Sequence, residues 1–366
     1  MKVSAIITTK GALENMNLHS YDSIVRGKMQ AEKLSQAYQA VAFKNADSSN
    51  FQAEAFTRKA QAVHNCSTVW VGYQCPQCGR LHAMHTWGCK DRLCPICATR
   101  RSRMLAVQSA KVMPKIIKEG SQDANLVTLT VKNCNGFELP NTISRILQGW
   151  ANITQSYDTR KTVDGWARAL EITYNRDTHT YHPHIHVILL SAADRWKDKG
   201  YWTERWRKAC DLEYSPIIDT RPITKGKDGG AILEVCKYVT KTSELIDKLT
   251  PGELAFVVEP LSSAIRCRRM NAYGGDWAAE RRRLKLKEPD EMDDQELSQA
   301  DEEVNHSLVQ CCGNDCKLVM LDWSGLSYDV IDCENPDTSK DGIESILFKG
   351  FKLKSLLQEY EQQESS

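Results

Sequence analysis

The stretch YHPHIHVILL, residues 181–190, puts His182, His184 and His186 at every second position of an otherwise apolar run, in a chain with nine histidines. Strict alternation predicts a β-strand with the imidazoles on one face and Ile185, Val187 and Leu189 on the other. One ligand-bearing face and one core face is how a sheet presents a metal ion. A surface strand with polar residues outward is the bland alternative, and three histidines in register weigh against it.

Three further strands are read around this one: NLVTLTVKN (125–133) and WARALEITYN (166–175) before it, SPIIDTRPI (215–223) after it. Helical spacing falls at 139–157, with Pro140 near the start, at 202–210 and at 231–250. The order β-α-β-β-α-β-α is a split-βαβ pattern, which predicts an α+β fold with a small antiparallel sheet and helices on one side. The expected organisation is a helical N-terminal region (1–60), a zinc-binding module (61–104), the domain of the histidine strand (105–250), a basic extension (251–290), and an acidic linker with a C-terminal region of unassigned role (291–366). An amphipathic helix is expected over 104–119, kinked at Pro114.

Fourteen cysteines need an explanation other than disulfides, because nothing marks the chain for secretion. Cys75-x2-Cys78 and Cys94-x2-Cys97 are separated by fifteen residues, the spacing of a four-cysteine zinc site. A redox CxxC pair is the rival, and two such pairs at this distance fit zinc better. Cys66, Cys89, His82 and His85, along with His64, are left to complete a second zinc site. The spacing does not select four of them. A segment this short and polar buries little core, so Zn²⁺ is expected to stabilise it. Cys311, Cys312, Cys316 and Cys333 lack a paired CxxC pattern and are read as ordinary buried thiols.

Composition is that of a water-soluble protein: 366 residues, 41% hydrophobic, 26% charged, net charge +1. Bulk charge predicts no partner, but its distribution is uneven. Seven basic residues and no acidic one lie from Arg92 to Lys118. RRSR, with Arg100, Arg101 and Arg103, is a candidate DNA contact, as are Arg268 and Arg269 in the stretch 266–287, where Tyr273 and Trp277 stand among arginines. Basic residues interleaved with aromatics suit a phosphate backbone and stacked bases, although a solvated helix face has the same look. No run reaches the ~18 apolar residues of a membrane span, and the N-terminus has no signal-peptide core, so a cytoplasmic location is expected.

Within the helix predicted over 231–250, EVCKYVTK aligns Glu234, Tyr238 and Lys241 at i, i+4 and i+7, on one face. The apolar stripe falls instead to Ile232, Val235, Val239 and Leu245. Taken alone, the alignment also fits a solvated face. Beside a metal-bearing strand it gains chemistry. A divalent ion on two histidines polarises a phosphodiester, Tyr238 attacks in line, Lys241 neutralises the phosphate, and Glu234 deprotonates water for a second cleavage.

HPHIHVILL together with EVCKYVTK resembles the His-hydrophobic-His and Tyr-x-x-Lys motifs of rolling-circle plasmid replication initiators, the single-tyrosine HUH endonucleases. NLVTLTVKN looks like their first motif, and the cysteine-rich segment ending in RLCPICATRR is similar to what plasmid members carry upstream. The resemblance covers roughly residues 60–250. It implies His184 and His186 as ligands of Mg²⁺ or Mn²⁺, Tyr238 as the nicking nucleophile, Glu234 in place of a second tyrosine, and Lys241 as the motif lysine. Glu171 becomes a third ligand and His182 a supporting residue. It further implies single-stranded or hairpin origin DNA as substrate, a 5′-phosphotyrosyl intermediate, a free 3′-OH primer, and a host helicase and replication machinery as partners. A single-tyrosine transposase shares this chemistry, and a non-enzymatic zinc-ribbon DNA-binding regulator explains the cysteines and basic patches alone.

Overall fold

The computed structural model describes residues 21–119, 122–223, 242–294, 296–297 and 316–332. The described residues of 101–289 form one compact unit, and those of 21–100 and 290–332 another.

In the second of these, α1 (Tyr21–Asn45) and α2 (Asn50–His64) form an antiparallel pair. Leu34, Tyr38 and Val41 of α1 and Phe56, Ala60 and Val63 of α2 are buried at helical spacing, and the Tyr38 and Phe56 rings meet at 5.6 Å. A hairpin follows, β1 (Val69–Gln74) and β2 (Leu81–Thr86). Sequence alone gives no element beyond residue 290, yet β8 (Lys317–Trp323) and β9 (Tyr328–Asp332) complete a sheet of order β2-β1-β8-β9. The cysteine-rich hairpin and the distant C-terminal strands are therefore one structural module. Tyr328 ties them further: Trp70 Nε1 donates to its hydroxyl at 3.3 Å, and the Tyr21 hydroxyl donates to its carbonyl at 2.8 Å.

The helix expected over 104–119 is longer, α3 (Pro95–Glu119), and runs through Pro114. The histidine strand lies in the other unit. There β3 (Gln122–Thr130), α4 (Leu139–Gln155), α5 (Tyr157–Thr162), β4 (Gly165–Asn175), β5 (Thr180–Ala192), α6 (Lys199–Ala209) and β6 (Ile218–Pro222) follow the expected order. The sheet runs β6-β3-β5-β4-β7, antiparallel throughout, the last strand being β7 (Asn271–Gly274). Of the helix predicted over 231–250, the described part is α7 (Thr242–Lys248). Next come α8 (Pro251–Ile265), started by a Thr250–Glu253 capping box, and α9 (Gly275–Arg283).

Leu139, Ile143, Ile146, Trp150 and Ile153 recur every three or four residues and give α4 its buried stripe. Trp150 meets Trp166 edge-on at 5.3 Å, and Trp166 stands opposite Leu189 in the β4–β5 register. The helix thus covers the face that carries Ile185, Val187 and Leu189, leaving the histidines on the other face. From α8, the Val257 carbonyl accepts from the Tyr181 hydroxyl on that same helix-covered side at 2.9 Å. Gly149 permits the close approach of α4 to the end of α6, since a Cβ there would overlap Cys210 Sγ.

Candidate active site and metal centres

Strand register builds the first centre. Asn175 Oδ1 accepts from the amides of Asp177 and Thr178 at 2.9 and 3.1 Å, closing the β4–β5 turn. That turn pairs Asn175 with Thr180 and, further along, Glu171 with His184. A slip of one residue would put the two on opposite faces of the sheet. Glu171, His184 and His186 converge as a buried cluster whose ligand atoms lie within 4.8 Å of one another. Both Nε2 atoms address a single oxygen, Glu171 Oε2, at 2.9 Å from His186 and 3.5 Å from His184.

The other ring nitrogens explain why. His184 Nδ1 donates to the His182 carbonyl at 3.0 Å, and His186 Nδ1 faces Thr128 Oγ1 at 3.0 Å. Thr128 stands opposite His186 in the β3–β5 register. An imidazole whose Nδ1–H is engaged keeps a lone pair on Nε2, the tautomer that binds a metal. Two such nitrogens and a carboxylate oxygen suit a divalent ion with positions left for water or substrate. His182, expected as a supporting residue, contributes its carbonyl, and its ring stacks on His184 with centroids 5.0 Å apart. Burial, then the neighbouring His184, pulls its pKa down. Thr128 is the member of this cluster that the sequence reading missed, though its place in NLVTLTVKN across from the histidines was the available signal.

A cleft of about 410 Å³ opens at the His182 end, lined among others by Asn133, Thr173, Asn175, His182 and, from α7 and its end, Lys248 and Leu249. Glu234, Tyr238 and Lys241 lie outside the described residues.

The second centre gathers Cys66, Cys89, Cys94 and Cys97. Cys66 Sγ is 3.6 Å from Cys97 Sγ and 3.6 Å from Cys94 Sγ, and Cys89 Sγ is 3.7 Å from Cys97 Sγ. Tetrahedral zinc with Zn–S bonds of ~2.3 Å requires S···S edges of ~3.8 Å, so the four sulfurs already sit at zinc spacing. Hydrogen bonds from Cys89, Cys94 and Cys97 hold the Cys66 thiol well below the usual cysteine range, and donation to Cys66 pushes Cys89 and Cys94 well above it. The elements place each donor. Cys66 follows α2, Cys94 precedes Pro95 at the first position of α3, and Cys97 lies in that first turn. The loop between is fixed by Asp91, which accepts from Lys59 Nζ at 2.6 Å, the Tyr38 hydroxyl at 3.0 Å and the Leu93 amide at 2.8 Å.

This grouping differs from the expected one. Cys94 and Cys97 join Cys66 and Cys89, whereas Cys75 and Cys78 flank the β1–β2 turn. His64 accompanies neither set, since its Nδ1 meets Glu32 at 2.6 Å. His85 lies on β2, as does His82 in sequence. Cys316 directly precedes β8, while Cys311, Cys312 and Cys333 lie outside the described residues.

The basic residues also need correction. Arg100, Arg101 and Arg103 are 3%, 4% and 1% exposed and do not display a surface to DNA. Arg100 bonds Asp294 through its carboxylate and its carbonyl, both at 2.8 Å. Trp277 is core, and Tyr273 stacks on Arg281 at 4.0 Å rather than standing free for a base. Arg269 is exposed, and Arg268, half-buried, donates to the Pro140 carbonyl at 2.9 Å. No described helix is long and apolar enough to cross a membrane.

The fold and these centres define an α+β protein with a His–His–Glu cluster on an antiparallel sheet and a separate four-thiol cluster. Comparison with known proteins gives the family. The model of a family described as "Replication protein" matches residues 80–324, a span that contains the His–His–Glu cluster and Cys89, Cys94 and Cys97. Protein rep of Bacillus amyloliquefaciens is 30% identical over 279 residues, covering 70% of this chain and 81% of that protein. Protein rep of Streptococcus pneumoniae serotype 2 is 34% identical over 218 residues, covering 57% and 67%. Another, from a Bacillus species, is 32% identical over 251 residues, covering 62% and 81%. No solved structure matches. The chain belongs to the replication protein family of rolling-circle plasmid replication initiators.

Proposed function

We propose that this initiator nicks single-stranded origin DNA by a tyrosine nucleophile acting beside a divalent ion. The observation that carries the reading is the convergence of His184 Nε2, His186 Nε2 and Glu171 Oε2, with each Nδ1 engaged behind it. Mg²⁺ or Mn²⁺ held there would polarise the scissile phosphate. Tyr238 Oη attacks phosphorus, the P–O3′ bond breaks, and the products are a 5′-phosphotyrosyl adduct and a free 3′-OH. Lys241 balances phosphate charge, and Glu234 takes a proton from water in the terminating cleavage. Two facts support placing Tyr238 here. It precedes Thr242, the first residue of α7, by four positions, and the residues that end α7 line the cleft beside His182. That cleft is the natural path for a single strand, with Arg268 and Arg269 as candidate backbone contacts on the same unit. Zn²⁺ on Cys66, Cys89, Cys94 and Cys97 is structural, because four thiolates leave no position open for substrate.

The test is nicking of single-stranded plasmid origin DNA with and without Mn²⁺. Wild-type protein should cut only with metal, and the His184→Ala/His186→Ala protein should not cut while keeping its fold. Metal-independent cutting, or cutting by the double variant, would refute the reading. A zinc-dependent regulator without nuclease activity predicts DNA binding and no cleavage in either protein.

A further inference from the structure

Three histidines share the metal face of β5, and the His–His–Glu cluster uses two of them. His184 and His186 meet edge-on, their planes at 86°, and both direct Nε2 at one carboxylate oxygen. His182 is arranged differently. Its ring lies nearly parallel to that of His184, with planes 29° apart and centroids at 5.0 Å, and it is hydrogen-bonded to the backbone of Val131. The two ligands present edges, whereas His182 presents a face. Since His184 covers one side of the ring, the other side is turned along the strand away from the cluster. There the cleft of about 410 Å³ opens.

The cleft has the size and the groups for a single nucleotide. Its volume is at the small end of the ~300–1,000 Å³ of small-molecule sites. Thr173 stands opposite His182 in the β4–β5 register, one row beyond the Glu171–His184 pair, and its hydroxyl has no hydrogen bond among the described residues. Asn133 Nδ2 donates to Thr180 Oγ1 at 3.0 Å, which fixes the amide and leaves Oδ1 as an acceptor. Lys248, in no ion pair among the described residues, adds a cation to the lining, and Leu245 and Leu249 add apolar surface. An aromatic face, polar groups for a base edge and a cation for a phosphate suit an unpaired nucleotide. Row spacing sets its distance from the cluster. Two residues of antiparallel strand advance ~6.8 Å, a span that one nucleotide of an extended strand bridges.

We propose that His182 is a stacking platform for an unpaired nucleobase, and that the cleft receives the nucleotide adjoining the scissile phosphate. The assignment rests on the nicking reading for the place of that phosphate. Thr173 and Asn133 then face the base edge, and Lys248 the neighbouring phosphate. A base stacked within a duplex has no free face, so the cleft selects DNA whose base is already unstacked. The support that His182 gives to His184 Nδ1 comes from its backbone carbonyl and survives replacement of the ring.

The test places 2-aminopurine, a base whose fluorescence falls when it stacks, at each position in turn of a single-stranded origin oligonucleotide. Full-length protein is then titrated in with Mn²⁺ present. With wild type, fluorescence should be quenched at one position beside the cut. His182→Ala should abolish that quenching and weaken oligonucleotide binding ~5–150-fold, the usual worth of one stacked base. His182→Phe, which keeps a flat ring, should restore both. Mn²⁺ affinity without DNA, read by electron paramagnetic resonance, should match wild type in both variants, which separates stacking from support of His184. Quenching needs binding and not cleavage, so a protein that binds and never cuts would refute the nicking reading while the quench still judges His182. Equal quenching in wild type and His182→Ala would overturn the proposal. So would a wild type with no quenched position or one remote from the cut, or a loss of Mn²⁺ affinity in His182→Ala that matches its loss of DNA binding.

Discussion

Replacing Thr128 with Val removes the hydroxyl that meets His186 Nδ1, and the His–His–Glu arrangement fixes what should follow. Thr128 Oγ1 sits 3.0 Å from His186 Nδ1, while His186 Nε2 sits 2.9 Å from Glu171 Oε2. Without metal, the variant imidazole can move its proton to Nε2 and donate to Glu171, leaving an acceptor rather than a donor at Nδ1. A bound ion removes that escape. Nε2 must then offer its lone pair, and Nδ1–H is left without an acceptor in a residue only 8% exposed. A buried orphan donor costs ~1–3 kcal/mol, and since most of this falls on the metal-bound state, affinity should drop ~10–100-fold, the range typical of lost outer-shell partners. Metal-free stability should change little, because Val is close to Thr in shape and suits a strand. Mn²⁺ titration followed by electron paramagnetic resonance, with thermal melts of the metal-free proteins, measures both quantities. Affinity within twofold of wild type would refute the assignment of Thr128 as the residue that sets the His186 tautomer.

Glu234→Ala should form the covalent DNA adduct at a normal rate and hydrolyse it ~10²–10⁴-fold more slowly, the usual loss for a general base. Single-turnover kinetics that follow the two steps separately would sink this division of labour if both slow equally. Cys66→Ser should release one zinc and destabilise the loop between α2 and α3, since structural zinc contributes ~10–16 kcal/mol in small modules. Limited proteolysis near residues 87–94 reads the change, and unaltered resistance would contradict it. Gly149→Ala should lower stability by ~1–3 kcal/mol through overpacking against Cys210. An unchanged denaturant midpoint would show that α4 and α6 can move apart at no cost.

Much of the five-stranded sheet was legible because one residue-scale rule governs it. Alternation put three histidines on one face, and Glu171 could be read as a ligand because its strand neighbours theirs. The cysteines followed no such local rule. Cys94 and Cys97 look like partners of Cys75 and Cys78 on spacing, but α2 delivers Cys66 and the loop after β2 delivers Cys89, and neither approach is encoded in a CxxC pattern. RRSR read as a DNA contact because charge suggests exposure. The carboxylate that engages Arg100 is Asp294, nearly two hundred residues away. Likewise β8 and β9 became visible only through the pairing of β8 with β1 and of β9 with β8, since five to seven alternating residues after a long acidic run announce no sheet.

Tyr238 is the residue on which the proposed nicking depends most, and the direct measurement is peptide mapping of the covalent complex formed with a single-stranded origin oligonucleotide and Mn²⁺. Mass spectrometry should find the 5′-phosphonucleotide mass on the peptide that contains Tyr238, and Tyr238→Phe should form no adduct while binding the oligonucleotide with near-normal affinity. A nucleotide mass on any other peptide, or an adduct in the Tyr238→Phe protein, would contradict it.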